Sequence, residues 1–243
     1  MKSKREKKQK PLLVFDIDGV LIDVSRSYRL AIQETVKFFS GKSISQEEIQ
    51  KIKIEEKLNN DWVVSQKLLE RLGFEIPLEK VIERFQSFYL GKSFDGLILN
   101  EKTLVERQVL ETLAGKAELC ILTGRPRTEA EFALERFGIS GFFKKTICME
   151  DCNGKEKPNP FGLKLLDKYF KTKKCFYFGD TLADIECARK AGFKAVGILP
   201  PQDKSKALKE KMLKEGAAIV LENINNLPSV KLKGIASKKT VFE

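Results

Sequence analysis

The chain has 243 residues, with 45 lysine or arginine residues against 34 aspartate or glutamate residues, a formal net charge of +11 and no histidine. The absence of histidine excludes a Ser-His-Asp triad, a Cys-His pair and a histidine-ligated zinc site within the chain. Its ionisable catalytic groups must therefore be mainly Asp, Glu, Lys, Cys and Tyr. With 42% hydrophobic and 33% charged residues, the composition indicates a soluble globular protein.

Residues 1–10 form a basic segment ahead of the first apolar run. They contain six lysine or arginine residues and one glutamate, so this segment carries +5 (six minus one) of the net charge. We expect a disordered basic tail, and its charge gives only modest support to nucleic-acid binding, which we do not favour. No apolar stretch reaches the roughly 18 residues that a membrane span needs, so no membrane association is expected.

Short apolar runs recur along the chain with helical stretches between them. Runs this apolar suit strands that are buried on both faces, as in a parallel sheet. Their alternation with helices predicts an α/β fold with a doubly wound, Rossmann-like parallel sheet. The runs are Leu12 to Phe15, Leu119 to Leu122, Thr146 to Met149, Cys175 to Phe178, Ala195 to Leu199 and Ala217 to Leu221.

Residues 25–96 break this alternation. They show several helical periods, such as Tyr28, Ile32, Val36 and Phe39, and no strong strand run. We therefore predict an inserted all-helical cap domain over 25–96 and an α/β core made of residues 11–24 and 97–243. The insertion follows the first strand directly.

Acidic side chains stand at the ends of two of the predicted strands. Asp16 and Asp18 follow the first run, and Asp180 and Asp184 follow the run at Cys175. Ligands of such sheets bind beyond the carboxyl ends of the strands, and a hard divalent cation would relieve the repulsion between paired carboxylates. Taken alone, the Asp16 segment also fits a solvated turn.

Two further strand ends carry groups that suit an anion. Thr123 and Gly124 stand where the second run gives way to a helix, and a helix start offers free N–H groups to an anion. Pro158 favours an extended conformation for Lys157, which presents an ammonium group at a loop. Singly, Thr123 also fits a helix cap and Lys157 a solvated surface charge.

In this order, the four segments resemble the four motifs of the haloacid dehalogenase superfamily, whose members are mostly Mg²⁺-dependent phosphatases. The resemblance spans about Leu12 to Leu199. The helical insertion is similar to the cap of the subgroup that includes phosphoglycolate phosphatases and β-phosphoglucomutases. The resemblance implies a phosphatase that acts on a small phosphorylated metabolite and uses Mg²⁺ as its cofactor.

The resemblance also implies a role for each acid. Asp16 would be the nucleophile that forms an aspartyl-phosphate, and Asp18 the general acid and base. The Asp16 carboxylate, the Asp18 main-chain carbonyl and Asp180 would hold Mg²⁺, with Asp184 either a direct ligand or a partner of one. The dehalogenase branch lacks the second acid, so the presence of Asp18 favours phosphate esters.

The remaining implied residues bind substrate. Thr123, the Gly124 N–H and Lys157 would contact the phosphoryl oxygens. Substrate choice in capped members depends on cap residues, and Arg26 is our candidate for a second anionic group on the substrate. A polar cluster at 59–62, which includes Asn60, Asp61 and Trp62, is a further candidate, although capping and surface roles fit it and Arg26 equally well.

Two alternatives to a phosphatase stay open. A phosphomutase would use the same phosphoenzyme, and a regulatory nucleic-acid-binding protein could retain the fold without catalysis. The GKS sequences at 41–43 and 91–93 lack the earlier glycine that a P-loop requires, and the chain has no G-x-G-x-x-G motif for binding a dinucleotide.

The five cysteines are odd in number and mostly stand in or beside apolar runs, which predicts reduced, buried thiols and a cytoplasmic location.

Overall fold

Strands and helices alternate along the second half of the chain, as the spacing of the apolar runs predicts. The computed structural model describes residues 9–56, 58 and 60–229. The strands are β1 (Leu12–Phe15), β2 (Ile22–Asp23), β3 (Lys102–Thr103), β4 (Glu118–Leu122), β5 (Lys145–Ile147), β6 (Cys175–Gly179), β7 (Lys194–Ile198) and β8 (Ile219–Leu221). The α-helices are α1 (Tyr28–Ser40), α2 (Gln46–Glu55), α3 (Asp61–Arg71), α4 (Leu78–Tyr89), α5 (Arg107–Lys116), α6 (Arg127–Arg136), α7 (Phe161–Phe170), α8 (Leu182–Ala191) and α9 (Lys206–Glu215).

All six predicted runs contribute strands to one parallel sheet. Its strand order is β5-β4-β1-β6-β7-β8. The four residues of β1 are each at most 1% exposed, because helices cover both faces of the sheet and leave no solvated side. This arrangement confirms the predicted doubly wound α/β core.

The first strand lies in the middle of the sheet. From β1 the chain adds β4 and β5 on one side, and then β6, β7 and β8 on the other. The strand order therefore reverses at β1, and in open α/β sheets such a switch point leaves a crevice beyond the carboxyl ends of the strands. The acidic residues that follow β1 and β6 stand at this end of the sheet.

The chain divides into two compact units, and the smaller one is mostly helical. It runs from Ile22 to Thr103 and holds α1 to α4, whereas the other unit comprises Met1–Leu21 and Leu104–Glu243. The smaller unit begins earlier and ends later than the predicted 25–96, because β2 and β3 pair as an antiparallel ribbon. These two-residue strands are too short to leave a pattern in the sequence, and both lie outside the predicted range 25–96, within which the regular elements are helices.

The remaining general expectations concern membranes, cysteines and the tail. No helix among the described residues is both long and apolar enough to cross a bilayer. All five cysteines are free and buried, as their apolar surroundings predict. Residues 1–8, most of the predicted basic tail, lie outside the described residues, and Gln9 and Lys10 are exposed.

Candidate active site

Three strand ends meet at one edge of the sheet. Phe15 of β1 pairs with Ile121 of β4 and with Phe178 of β6, so the residues that follow these three strands are neighbours. The backbone N–H of Asp16 donates to the Phe178 carbonyl at 2.9 Å, which continues the ladder past the last residue of β1. The parallel register thus brings together segments that are far apart in sequence.

Asp16 is buried at the centre of this edge, with 5% of its surface exposed. Its Oδ1 accepts a hydrogen bond from the Ile17 N–H at 2.8 Å, and its Oδ2 accepts one from Lys157 Nζ at 2.8 Å. Burial raises the pKa of the Asp16 carboxyl to about 7, although the Lys157 charge acts against this rise. Burial therefore disfavours the charged form of this carboxyl group, while the two hydrogen bonds hold its oxygens in place.

Lys157 is a largely buried cation between two acids, with 11% of its side chain exposed, and not the solvated surface charge that its sequence context alone allowed. Its Nζ lies 2.8 Å from Asp16 Oδ2 and 2.7 Å from Asp184 Oδ1. Burial acts to lower the pKa of the ammonium, but the charges of Asp16 and Asp184 outweigh it and hold that pKa above its usual value. Lys157 thus stays protonated and supplies fixed positive charge in the site.

Asp184 is fully buried and saturated by protein donors. Its Oδ1 is 3.0 Å from the Tyr177 hydroxyl as well as close to Lys157, and its Oδ2 accepts from the Thr181 hydroxyl at 2.6 Å and the Thr181 N–H at 3.1 Å. Thr181 and Asp184 also form the capping box that starts α8. Burial raises the pKa of the Asp184 carboxyl, but Lys157 and Thr181 outweigh it and hold that pKa below its usual value.

Asp180 differs from Asp184 in having no hydrogen-bond or ion-pair partner among the described residues. Burial, with the charges of Asp184 and Asp16 added, raises the pKa of the Asp180 carboxyl well above its usual value. One carboxylate oxygen from each of these three acids lies within 4.8 Å of the other two. Three hard oxygen donors this close, one of them without a partner, fit a divalent cation.

Gly19 makes room for Asp180. Its φ of +71° is a left-handed conformation that favours glycine. A Cβ atom at this position would lie 2.1 Å from Asp180 Oδ2, closer than any real contact. The glycine of the Asp-Ile-Asp-Gly segment is therefore required by its backbone conformation and by the approach of the second acidic loop.

Asp18 is held by an arginine for which the sequence alone predicted no role. Both Nε and Nη2 of Arg125 contact Asp18 Oδ1, at 2.7 and 2.5 Å. The Arg125 side chain is 1% exposed and that of Asp18 is 33% exposed. The only sequence signal was the position of Arg125, two residues beyond Thr123 in a strand-end loop.

The predicted phosphate-binding residues of the second motif also stand at this edge. Thr123 follows β4, is buried, and donates its N–H to the Ile147 carbonyl at 3.0 Å, whereas Gly124 is exposed. The Thr123 hydroxyl accepts a hydrogen bond from the Arg125 N–H at 3.2 Å, so it stabilises the local turn as well.

Tyr177 is a further site residue for which the sequence alone predicted no role. Its buried hydroxyl lies 3.1 Å from Lys157 Nζ.

The candidate substrate residues of the insertion belong to the helical unit. Arg26 is exposed, and its carbonyl accepts a hydrogen bond from Asn100 at 3.2 Å. Asn60 caps α3 by accepting from the Trp62 N–H at 3.1 Å, and Asp61 pairs with Lys53 at 2.6 Å. Capping and ion pairing thus account for this part of the polar cluster, and Asn59 lies outside the described residues.

Comparison with known proteins identifies relatives over most of the chain. The chain is 34% identical over 224 residues to an imidazoleglycerol-phosphate dehydratase of Phytophthora nicotianae, with 86% of this chain covered. It spans about half of that relative, 49% of its length. It is 26% identical over 199 residues to a phosphoglycolate phosphatase of Colwellia psychrerythraea, covering 78% of this chain and 84% of the relative.

Solved structures share the fold. A predicted phosphoglycolate phosphatase of Haemophilus somnus matches with a TM-score of 0.73 and 19% identity, covering 92% of this chain and 99% of the other. A putative β-phosphoglucomutase of Thermotoga maritima matches with a TM-score of 0.67 and 23% identity, covering 90% and 99%. The family model for haloacid dehalogenase-like hydrolases matches residues 13–198, more than half of the chain. The chain therefore belongs to the haloacid dehalogenase-like hydrolases, the family that its four motifs predict.

Proposed function

We propose that this hydrolase is a Mg²⁺-dependent phosphatase, which cleaves a small phosphomonoester through a phosphoryl group carried on Asp16. The convergence of Asp16, Lys157, Asp180 and Asp184 carries this proposal, because it joins three carboxylates within 4.8 Å to a buried ammonium group. An anionic nucleophile can attack an anionic phosphate only where positive charge offsets their repulsion.

Asp16 acts as the nucleophile. Its carboxylate attacks phosphorus, and the P–O bond to the leaving group breaks as the bond to Asp16 forms, so that one displacement becomes two easier ones. Its Oδ1 is held by the Ile17 N–H, which fixes the direction of the carboxylate. Because Asp16 is buried, few water molecules need to leave before it attacks.

Asp18 acts as the proton donor and acceptor. In the first step it gives a proton to the departing alkoxide, and in the second it removes a proton from the water that attacks the phosphoenzyme. The water restores the free Asp16 carboxylate and releases inorganic phosphate. Its partial exposure leaves Asp18 accessible to both a leaving group and a water molecule.

The donor set fits Mg²⁺, which requires oxygen ligands. We assign it to the carboxylates of Asp16 and Asp180 and to the main-chain carbonyl of Asp18. When bound, the cation supplies charge that neutralises phosphate oxygens beside the nucleophile. We assign Asp184 to the positioning of Lys157, because its two oxygens already accept from Lys157, Tyr177 and Thr181.

Lys157, Thr123 and Gly124 bind the phosphoryl oxygens. Lys157 already faces the Asp16 carboxylate, so a phosphoryl group on Asp16 would meet its ammonium. Thr123 and Gly124 follow β4 at the edge of the sheet where Asp16 follows β1, and we assign the phosphoryl contacts to the Thr123 hydroxyl and the Gly124 N–H. Arg26 stays our candidate for the residue that binds a second anionic group of the substrate. The cytoplasmic location of the protein also stays a prediction.

The relatives support phosphate esters as the substrate class. Several of the relatives are described as phosphatases. The relatives from Colwellia psychrerythraea and Aquifex aeolicus are both described as phosphoglycolate phosphatases. A phosphomutase is a second candidate because a neighbour with the same fold is described as a β-phosphoglucomutase. Product analysis separates the two, since a mutase transfers the phosphoryl group and a phosphatase releases it. Nothing further favours nucleic-acid binding.

The test is release of inorganic phosphate from a panel of phosphorylated metabolites, with Mg²⁺ and then with EDTA. We expect Mg²⁺-dependent release by the wild-type chain and its loss in Asp16→Asn. The matched control is Asp167→Asn, which removes an exposed carboxylate of α7 and should retain activity. Unchanged turnover in Asp16→Asn would reject the proposal.

A further inference from the structure

Arg125 and Asp18 form an asymmetric ion pair. Two nitrogens of the guanidinium, Nε and Nη2, converge on the single oxygen Oδ1 of Asp18 at 2.7 and 2.5 Å. Within the described part of the chain, the hydrogen bond and the ion pair of the Asp18 carboxylate both fall on this oxygen. The other oxygen, Oδ2, therefore remains available to a substrate or a water molecule.

The protein holds the arginine rigidly. Its side chain is 1% exposed, its N–H donates to the Thr123 hydroxyl at 3.2 Å, and its carbonyl accepts from the Met149 N–H at 3.0 Å. The next residue, Pro126, is the cap of α6 and has a restricted backbone. A buried guanidinium is costly unless it is paired, so this placement fixes the partner carboxylate as well.

We infer that Arg125 is a positioning residue, which holds Asp18 by Oδ1 so that Oδ2 exchanges the proton with the leaving group and with water. This inference rests on the proposed function. In the first step the proton leaves Oδ2 for the departing alkoxide as the P–O bond breaks. In the second step Oδ2 takes a proton from water as the new P–O bond forms, so protons balance over one turnover.

A role in proton transfer predicts a particular kinetic signature. A leaving group that is a poor base needs little protonation, whereas a basic alkoxide needs it in the transition state. Loss of Arg125 should therefore slow esters of basic alcohols far more than esters of acidic phenols. A role in binding phosphate, or in folding alone, would slow both classes equally.

The experiment compares p-methoxyphenyl phosphate with p-nitrophenyl phosphate, which are similar in size and differ in the basicity of the leaving group. In Arg125→Gln, the ratio of kcat for the first ester to kcat for the second should fall by at least about tenfold from the wild-type ratio. Asp18→Asn should show the same selective loss, and Arg125→Lys should recover part of the ratio. Both kcat values come from one preparation, so a fraction of misfolded protein cancels.

Each outcome decides the inference. A selective loss in Arg125→Gln that is not deepened when Asp18→Asn is added supports it, because the two residues then act as one unit. An unchanged ratio, whether both kcat values fall equally or neither falls, overturns the inference and leaves the proposed phosphatase function standing. A wild-type chain without activity on either ester, or full activity in Asp16→Asn, counts against the proposed function and against this inference with it.

Discussion

Lys157 Nζ lies 2.8 Å from Asp16 Oδ2, although the two residues are 141 positions apart in the chain. This contact joins the loop after β1 to the loop before α7, and it places the ammonium group beside the proposed nucleophile. The same nitrogen holds Asp184 at 2.7 Å, so one lysine offsets the charge of two buried acids. We therefore expect Lys157 to contribute to stability as well as to the proposed catalysis.

Replacing Lys157 with methionine should destabilise the chain. Breaking a buried ion pair by removing one partner costs about 3–5 kcal/mol, because it leaves an uncompensated charge. Urea unfolding in EDTA measures this loss, and turnover should be abolished in the same variant. Lys164→Met, at an exposed position of α7, is the control and should leave both quantities nearly unchanged. Equal stability of the two variants would contradict the burial of the Lys157 charge.

Gly19→Ala should abolish activity through the displacement of Asp180. The new Cβ would lie 2.1 Å from Asp180 Oδ2, and the left-handed backbone adds strain of about 1–3 kcal/mol. Gly41 is the matched control, because its φ is +69° and a Cβ added there would have no neighbouring atom within 4 Å. Gly41→Ala should show a similar loss of stability with normal turnover. Comparable activity in the two variants would show that Asp180 does not need this space.

Mg²⁺ should stabilise the wild-type chain and not the Asp180→Asn variant. Binding to the folded state alone raises stability by about 2.7 kcal/mol at a hundredfold excess over Kd, which thermal unfolding detects as a higher Tm. In EDTA the variant should melt at or above the wild-type temperature, because it removes a charge repelled by Asp16 and Asp184. Asp167→Asn should respond to Mg²⁺ as the wild type does. An equal Mg²⁺ response in Asp180→Asn would exclude Asp180 as a ligand.

The buried thiols predict a loss of stability at alkaline pH. Burial raises the pKa of the Cys120 thiol to about 12, whereas an unfolded thiol has a pKa of about 8.5. At pH values between these two pKa values, the unfolded state binds fewer protons than the folded state, so the free energy of unfolding falls as pH rises. Urea titrations at pH 8 and pH 10 should show a fall that is about 2 kcal/mol smaller in Cys120→Ala than in the wild type. Parallel falls in both proteins would argue against the raised thiol pKa.

Much of the fold could be predicted because its signals are local. Each strand of the parallel sheet lies within or beside an apolar run, since burial on both faces leaves no polar position. The acids at 16 and 180 could be placed at one sheet edge because parallel strands end there together. The ribbon of β2 and β3 could not be predicted, because two-residue strands leave no periodicity.

The partners of the site residues could not be predicted from the sequence, because they depend on packing between distant segments. Arg125 and Tyr177 carry no local mark of their contacts, since one follows a strand-end turn and the other reads as a core residue of β6. The sequence leaves open whether Asp184 is a direct metal ligand or a partner of one. In the structure its two oxygens lie close to four donors, which belong to Lys157, Tyr177 and Thr181.

The most direct test of the central claim is to find the phosphoryl group itself. The wild-type chain would be mixed with Mg²⁺ and a hydrolysed ester, quenched in acid within one turnover, digested and mapped by mass spectrometry. The account predicts one phosphoryl group on Asp16, stable in acid and lost in alkali, and none in Asp16→Asn. Steady turnover with no such adduct at any time, or with the group on a serine or threonine, would contradict it.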